Sequence, residues 1–443
     1  MTVAATVPTG FVGNLTTEQE TQLRQLWALV LQTLDTTTTT TTTANNNNTS
    51  RHADLGDEDE NESSPPTQQT PLSATELRDS WLHMAKQESP DALLLRFLRA
   101  RGWDAERAHG MLADALAWRA REQRVDEDMV PKGEPWCAAQ LSRDGDDNRG
   151  AREFLDQVRC GKAYLRGRDR RGRPVGYVHL ALHQPGAQGG ATVEKLVVNT
   201  IETARCLFEP PAEALCLVFD LTGFALSNME WNAARFIIRN FQANYPECLG
   251  TMIFHNAPWV FSGVWRITRG LLDPGVASKV HFTKDVEELE QWIPRENIIK
   301  RIGGADDWSY EFKEPAEDED ACIAHSDVRE KIMAERREIA DDLFRATRAW
   351  LEDADANELE QIAAQQTIRK EVIEKLRINY WKLDPYVRSR TLLDRTGVIK
   401  PGGVINHYPD RKMIKTEISH RELAAMDRES LGLRSREEVS VSS

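Results

Sequence analysis

The stretch that decides the fold is NYPECLGTMIFHNAPWVFSGVWRITRGLLDPGVASKV, residues 244–280. Its first part is an apolar run short enough to be a buried strand, and this run breaks at Asn-Ala-Pro, residues 256–258. The pattern then predicts a helix over residues 259–272, with most of its large apolar side chains on one side. Periodicity alone leaves open whether that side covers a core or faces a ligand. The large apolar residues are Trp259, Phe261, Trp265, Leu271 and Leu272.

Short apolar runs of the same kind lie on both sides of this break. They are rich in β-branched and aromatic residues, and segments of helical length separate them. This alternation predicts βαβ units and a mostly parallel sheet whose faces are covered by helices. The predicted strands are PVGYVHLAL (174–182), ALCLVFD (214–220), GTMIFHN (250–256) and SKVHFTK (278–284).

Helical patterns precede and follow the predicted sheet. LLLRFLRARGWDAERAHGMLADALAWRARE (93–122) predicts two helices, since Gly102 can end the first in a left-handed conformation and Asp104 can cap the second. Residues 14–34 predict one isolated amphipathic helix, and the Thr- and Asn-rich run that follows cannot bury a core and should be disordered. The predicted domains are an N-terminal helix with a disordered linker (1–73), a helical domain (74–130), an α/β domain (150–305), and an acidic linker with a helical extension (306–443).

Composition excludes several classes of protein. The formal net charge of −14 argues against a general nucleic-acid binder, because phosphate contacts need clustered lysine and arginine. Local basic clusters such as RGRDRRGR (166–173) fit either a solvated face or an anionic membrane surface. Six cysteines without CxxC spacing indicate a reducing compartment. With neither a signal-peptide pattern nor an apolar run of about 20 residues, the sequence predicts a soluble cytoplasmic protein.

The usual signatures of catalysis are missing from the sequence. No G-x-G-x-x-G follows a predicted strand, and neither a Walker sequence nor a G-x-S-x-G elbow occurs. No set of histidines, cysteines or carboxylates has the spacing of a metal site. We therefore expect a protein without catalytic residues, metal or cofactor.

Five segments in a fixed order resemble the CRAL-TRIO lipid-binding family, in the branch of the fungal phosphatidylinositol transfer proteins. The match runs from about Leu93 to Gly304. The resemblance implies an N-terminal helical bundle followed by an α/β domain, whose sheet floors an apolar lipid pocket. The segments are LLLRFLRARGWDAERA (93–108), RRGRPVGYVHL (170–180), DLTGF (220–224), NYPECLGTMIFHNAPWVF (244–261) and LLDPGVASKV (271–280).

The resemblance also assigns a role to the helix after the Asn-Ala-Pro break. In this family the corresponding helix is a gate, which swings to admit a lipid and contacts the membrane when open. The gate residues would be Trp259, Phe261, Trp265, Leu271 and Leu272.

Polar positions of the family's lipid site can be carried over residue by residue. For phosphatidylinositol they are Glu247 in the Y-P-E turn, Lys279 in the later Ser-Lys pair, and Arg101 as a further basic contact. For a second phospholipid they are Ser227 and Tyr177.

Two positions depart from the family's pattern. Ala225 stands where the family has a hydroxyl, and Gly176 stands where it has a tyrosine. These departures favour another second ligand, such as a sterol precursor or a squalene-like hydrocarbon.

The function implied by the resemblance is non-enzymatic lipid transfer. The protein would bind phosphatidylinositol as a monomer, and either exchange it between membranes or present it to lipid kinases. It would associate transiently with the endosome, the endoplasmic reticulum or lipid droplets. Two alternatives stay open at this point: a carrier of a different hydrophobic cargo, and a regulatory scaffold that acts through the C-terminal helices.

Overall fold

The computed structural model describes residues 7–40, 72–144, 148–355 and 359–411. The first helix continues through residues 35–40, where disorder was predicted, and the rest of the Thr- and Asn-rich linker lies outside these ranges. The predicted domain boundaries therefore stay predictions.

The N-terminal helices share one apolar core. Within it, Trp27 of the first helix is fully buried and donates its ring N–H to Asp91 at 2.7 Å. The first helix is thus part of the bundle and not an isolated element. As predicted, the turn after the third helix places Gly102 at φ +63°, and the Asp104 side chain caps the next helix. The helices are α1 (Thr17–Thr40), α2 (Ala74–Ala85), α3 (Pro90–Ala100) and α4 (Ala105–Ala117).

A five-stranded sheet forms the centre of the α/β part. Its order is β1-β2-β3-β4-β5; β1 is antiparallel to β2, and the other three pairings are parallel. The mostly parallel sheet predicted from the sequence is confirmed. The strands are β1 (Ala163–Arg168), β2 (Pro174–His179), β3 (Leu215–Asp220), β4 (Leu249–His255) and β5 (Val280–Thr283).

Helices connect the parallel strands, as the alternating pattern predicts. The connection from β4 to β5 contains the helix after the Asn-Ala-Pro break, which is shorter than predicted. The helices of this part are α5 (Glu134–Asp144), α6 (Arg149–Arg159), α7 (Gly190–Arg205), α8 (Trp231–Ala243), α9 (Phe261–Arg269), α10 (Pro274–Ala277) and α11 (Val286–Leu289).

Strand β1 was not predicted, because its sequence AYLRGR has two arginines where the pattern of a buried strand requires apolar residues. The structure neutralises that charge through distant partners. Arg166 is buried and pairs with Asp306 at 2.9 Å, and Arg168 pairs with Glu209. Such partners, far away in sequence, are invisible to local periodicity.

The two faces of the sheet bury different clusters. On one face, Val175, Tyr177 and Val218 pack with Leu289 and Ile293 from the chain after β5. On the other face, Leu217 and Phe254 lie beneath α7, α8 and α9. The second face carries the cavity described below.

The C-terminal helical extension is confirmed, and it is built into both parts of the protein. Trp350 and Leu376 join the core of α1–α4, whereas Tyr380 and Trp381 join the cluster on the cavity side of the sheet. The extension comprises α12 (Ser326–Asp355), α13 (Leu359–Val387), α14 (Leu392–Arg395) and the short strands β6 (Ile399–Lys400) and β7 (Val404–Ile405).

Candidate functional site

A cavity of about 230 Å³ lies between the sheet and helices α7, α8 and α9. Strands β3 and β4 supply its floor, because side chains at alternating positions point to the same face of a sheet. The floor residues are Leu215, Leu217, Phe219, Met252 and Phe254. Helices α7 and α8 supply the walls through Leu196, Val197, Ile201, Ala234, Ile237 and Phe241. A lining of this kind suits hydrocarbon and not a polar substrate.

One face of α9 closes the cavity. Phe261 and Val264 are buried, and Trp265, Thr268 and Leu272 also line the cavity at the spacing of a helical stripe. Phe261 packs against the floor, with its ring centroid 5.0 Å from that of Phe254. The stripe predicted from the sequence is therefore present.

Two of the predicted gate residues lie elsewhere. The side chain of Trp259 is 88% exposed and that of Leu271 is 43% exposed, so neither faces the cavity. Trp259 lies in the turn before α9 begins at Phe261, and Leu271 lies in the turn after α9 ends at Arg269, where the neighbouring Leu272 takes the cavity side. Ile267, on the outer face of α9, is also exposed.

A small polar network stands at one end of the cavity, and the sequence reasoning missed it. The buried Lys162 Nζ donates to Gln157 Oε1 at 2.8 Å and lies 3.2 Å from His183 Nδ1. His183 Nε2 lies 2.7 Å from a carboxylate oxygen of Glu230. Lys162, His183 and Glu230 all line the cavity. No sequence signal could reveal this group, because three separate elements bring its members together.

Burial controls the titration of this network. It lowers the pKa of Lys162 to about 8, since the charged ammonium is taken out of water. Burial and the neighbouring Lys162 also lower the pKa of His183. A neutral His183 can accept from Lys162 and donate to Glu230, so the network is internally satisfied.

The two residues predicted to be polar groups of the pocket are not in it. Tyr177 is fully buried on the opposite face of the sheet, because its neighbour Val178 takes the cavity side of β2. Ser227 is exposed in a short helical turn, and so is Ala225. A hydroxyl at position 225 would therefore not restore a contact inside the cavity.

Gly176 does lie on the cavity side of its strand, beneath leucines. A Cβ built there would stand 3.1 Å from Leu217 Cδ1 and 3.5 Å from Leu165 Cδ2. The space of the family's tyrosine is thus filled by aliphatic side chains.

The structure brings Glu247 and Lys279 together. Lys279 Nζ donates to Glu247 Oε1 at 2.9 Å, and the two side chains are 21% and 28% exposed, respectively. They meet because the amino ends of the neighbouring parallel strands β4 and β5 lie at the same edge of the sheet. The carbonyl of Lys279 also accepts from the backbone N–H of Met252, a cavity-lining residue, at 2.8 Å. The pair is therefore joined to the cavity floor through the backbone of Met252, although neither of its side chains lines the cavity.

The backbone at Glu247 is strained. Its φ of +57° is in the left-handed region, which residues with a Cβ adopt at a cost. A buried hydrogen bond holds this turn in place: the hydroxyl of Tyr245 donates to the buried Glu202 at 2.9 Å. Glu202 in turn pairs with Lys86 at 2.8 Å. A carboxylate whose residue has a strained backbone, in a turn that buried contacts hold in place, is typical of a functional position.

Arg99, and not the predicted Arg101, is the arginine beside this pair. Arg99 Nε lies 3.9 Å from Glu247 Oε2. Arg101 is the residue after α3, and its side chain donates to the carbonyl of Ala100 at 3.2 Å. The two arginines are neighbours in sequence, but α3 and its cap direct them differently.

Other kinds of site are not seen in the part of the chain that the structure describes. There, no group of three or more histidines, cysteines or carboxylates could hold a metal ion. No helix in the same ranges is long and apolar enough to cross a membrane.

Comparison with known proteins places the chain in a family. The CRAL/TRIO N-terminal domain matches residues 16–114, and the CRAL/TRIO domain matches residues 158–304. The CRAL-TRIO domain-containing protein C3H8.02 of Schizosaccharomyces pombe is 40% identical over 316 residues, covering 71% of this chain and 67% of that protein. Phosphatidylinositol transfer protein CSR1 of Eremothecium gossypii is 37% identical over 319 residues, covering 72% and 70%, respectively.

A solved structure is similar over a smaller part. The crystal structure of Sfh5 superposes on 51% of this chain and 75% of that chain, with 20% sequence identity and a TM-score of 0.38. The assignment depends on the sequence matches and not on this superposition. On those matches, the chain belongs to the CRAL-TRIO family of lipid-binding proteins.

Proposed function

We propose that this protein is a non-enzymatic carrier that binds phosphatidylinositol and exchanges it between membranes. The observation that carries the proposal is the contact of Glu247 with Lys279, one backbone hydrogen bond from Met252 in the floor of an apolar cavity. The name of the Eremothecium gossypii relative, a phosphatidylinositol transfer protein, supports the same ligand.

The two charged groups match the two halves of the headgroup. Inositol hydroxyls are donors and suit the carboxylate of Glu247, while the phosphodiester is an acceptor and suits the ammonium of Lys279. In the lipid-free structure the two side chains satisfy each other. Binding therefore replaces this ion pair by an ion pair of Lys279 with the phosphodiester and by hydrogen bonds from inositol hydroxyls to the carboxylate of Glu247.

An apolar cavity is the other requirement for transfer, and because its volume of about 230 Å³ is smaller than a two-chain lipid, this proposal requires it to widen when α9 moves. A two-chain lipid exposes some 30 methylenes, at about 0.8 kcal/mol each, so leaving the bilayer costs roughly 25 kcal/mol unless a closed apolar site replaces it. In this proposal α9 is the gate. Its inner face exchanges contacts with the cavity for contacts with the lipid.

The outer side of the gate suits a membrane surface. Trp259, Ile267 and Leu271 are exposed there, and Arg266 and Arg269 stand in the last turn of α9. Aromatic and aliphatic side chains enter the interfacial region, while arginine attracts anionic headgroups. We further propose that the protein is cytoplasmic and monomeric, with transient contact to the endosome, the endoplasmic reticulum or lipid droplets. There it would exchange phosphatidylinositol or present it to lipid kinases.

A second cargo is favoured by the lining of the cavity. Ser227 and Tyr177 do not reach it, and its floor and helical walls are aliphatic and aromatic. A sterol precursor or a squalene-like hydrocarbon fits this lining better than a second phospholipid headgroup does. Mass spectrometry of lipids extracted from the purified protein separates the two cargoes.

Transfer of labelled phosphatidylinositol between vesicles tests the proposal. Glu247→Ala and Lys279→Ala are expected to abolish transfer, while their unfolding midpoints stay close to that of the wild type. The matched control is Glu314→Ala, which breaks the exposed ion pair with Arg159 and is expected to transfer normally. Normal transfer by both site variants would overturn the headgroup assignment.

A further inference from the structure

The polar network of the cavity lies far from the proposed headgroup site. Lys162 precedes β1 and lies beside His179, the last residue of β2, whose backbone N–H donates to Lys162 O at 2.8 Å. The network is therefore at the carboxyl ends of the parallel strands. Glu247 and Lys279 meet at the amino ends, on the opposite edge of the sheet. None of the residues that the family resemblance assigns to a headgroup belongs to this network.

The ammonium of Lys162 has its hydrogen bonds satisfied but its charge unmatched. Its Nζ contacts Gln157 Oε1 at 2.8 Å, His183 Nδ1 at 3.2 Å and Gln188 Oε1 at 3.3 Å. All three partners are neutral, since burial lowers the pKa of His183. Glu230 lies on the far side of the His183 ring, 2.7 Å from Nε2. Among the described residues, no carboxylate is within ion-pair distance of Nζ.

Such an ammonium favours an anionic ligand. Taking a cation out of water is costly unless an anion accompanies it, and this cost lowers the pKa of Lys162 to about 8. Lys162 also lines the cavity, whereas Gln157 and Gln188 do not. An anion that enters through the cavity therefore reaches the ammonium directly.

The size of the cavity favours a ligand with one hydrocarbon chain. An apolar cavity of about 150 Å³ takes up a benzene molecule. The present cavity is larger, at about 230 Å³, and its floor and helical walls are aliphatic and aromatic. It thus holds a short single chain without the widening that a two-chain lipid requires.

We propose that this end of the cavity binds the carboxylate of a single-chain fatty acid, with Lys162 as its counterion. The carboxylate takes the place of Gln188, which makes the longest of the three contacts, and the chain lies along the apolar floor. A phosphate would bring more charge than one lysine offsets, and it would stand close to Glu230. The inference goes beyond the proposed function, because it requires neither phosphatidylinositol nor Glu247.

Calorimetric titration of the purified, lipid-stripped full chain with decanoate and with decanol tests the inference. The two ligands share one chain length, so their comparison isolates the carboxylate. Lys162→Met is expected to weaken decanoate binding about tenfold to a hundredfold, as for the loss of a hydrogen bond between charged groups, and to leave decanol binding unchanged.

Lys195→Met is the matched control. Lys195 is another largely buried lysine whose pKa burial lowers, but its Nζ donates to Cys137 Sγ at 3.7 Å and does not line the cavity. This variant is expected to bind both ligands like the wild type.

The wild type supplies a second test without any substitution. A carboxylate binds the charged form of Lys162, so decanoate affinity should fall about tenfold per pH unit above about pH 8, as this proton is lost. Decanol affinity should stay constant over the same range. The other titratable groups that face Lys162 are His183, Glu230 and Cys160. Cys160→Ala is expected to keep the fall, which excludes the thiol as its source.

Several results would overturn the inference. They are a wild type that does not bind decanoate, a Lys162→Met variant that binds it normally or loses both ligands equally, and a Cys160→Ala variant without the fall. If Lys162→Met does not fold, the wild-type profile decides, and an equal decanoate affinity at about pH 7 and about pH 10 overturns the inference. A wild type that does not transfer phosphatidylinositol would overturn the proposed function alone, since this titration contains none of that lipid.

Discussion

Replacing Glu247 by glycine and by alanine separates the strain at this position from its function. Both variants remove the carboxylate, and both leave Lys279 without its 2.9 Å partner. Only the glycine variant also relieves the backbone, because φ is +57° at this residue. The stability difference between the two variants therefore reports the strain, reduced by the greater flexibility of glycine in the unfolded chain.

The expected difference follows from two opposing effects. A residue with a Cβ costs about 1–2 kcal/mol in the left-handed region. Glycine loses about 0.4–1 kcal/mol relative to alanine, because its unfolded chain is more flexible. Glu247→Gly should therefore be more stable than Glu247→Ala by about 0.5–1 kcal/mol, the reverse of the order found at most positions.

Two measurements decide the matter. Urea unfolding of both variants gives the free energies of unfolding, and vesicle transfer gives the activity. We expect the glycine variant to be the more stable one and both variants to be inactive. An alanine variant more stable than the glycine variant would refute the strain, and a glycine variant with normal transfer would refute the role of the carboxylate.

Further predictions concern the polar network, the gate and the C-terminal extension. Because burial lowers the pKa of Lys162 to about 8, the unfolded chain holds this proton more tightly, and the free energy of unfolding should rise between about pH 8 and 10.5. Lys162→Met should remove this part of the rise, and a variant whose pH profile matches the wild type would contradict it. Trp259→Ala should slow transfer without changing stability, whereas Trp265→Ala should also cost about 1–2 kcal/mol in the urea unfolding free energy, since its ring lines the cavity. Equal free energies of unfolding for Trp259→Ala and Trp265→Ala, or wild-type transfer by Trp259→Ala, would disprove the gate arrangement. Arg336→Ala should cost about 3 kcal/mol or more, because the buried guanidinium serves the carbonyls of three residues, against about 1 kcal/mol for the more exposed Arg337→Ala. If Arg336→Ala and Arg337→Ala lose similar free energies of unfolding in urea, the hydrogen bonds of Arg336 do not hold the extension to α2.

The contacts of the extension also bear on the scaffold alternative. Trp350 lies in the core of α1–α4, and Trp381 lies in the cluster around the cavity. Removing the extension would expose both clusters, so a loss of lipid exchange on truncation would not identify a separate regulatory role. Point substitutions such as those at Arg336 and Arg337 test the extension without this ambiguity.

Local pattern was sufficient for much of the secondary structure and for the class of fold. Strands β2–β4 are apolar because the sheet buries both of their faces, and that signal is readable along the chain. The turn at Gly102 and the cap at Asp104 were predicted correctly, since both depend on neighbouring residues only. The family resemblance named Glu247 and Lys279, which the fold does bring together.

What only the tertiary structure decided is which way side chains point and which distant residues meet. Spacing gives the period of a strand, but not the face that Tyr177 takes. It predicts a stripe on α9, but not that the helix starts too late to include Trp259. Arg99 and Arg101 are equally basic in the sequence, and only the packing of α3 against residues 10 and 247 places Arg99 beside Glu247. Local propensity acts between neighbours along the chain, whereas these choices depend on contacts between residues far apart in sequence.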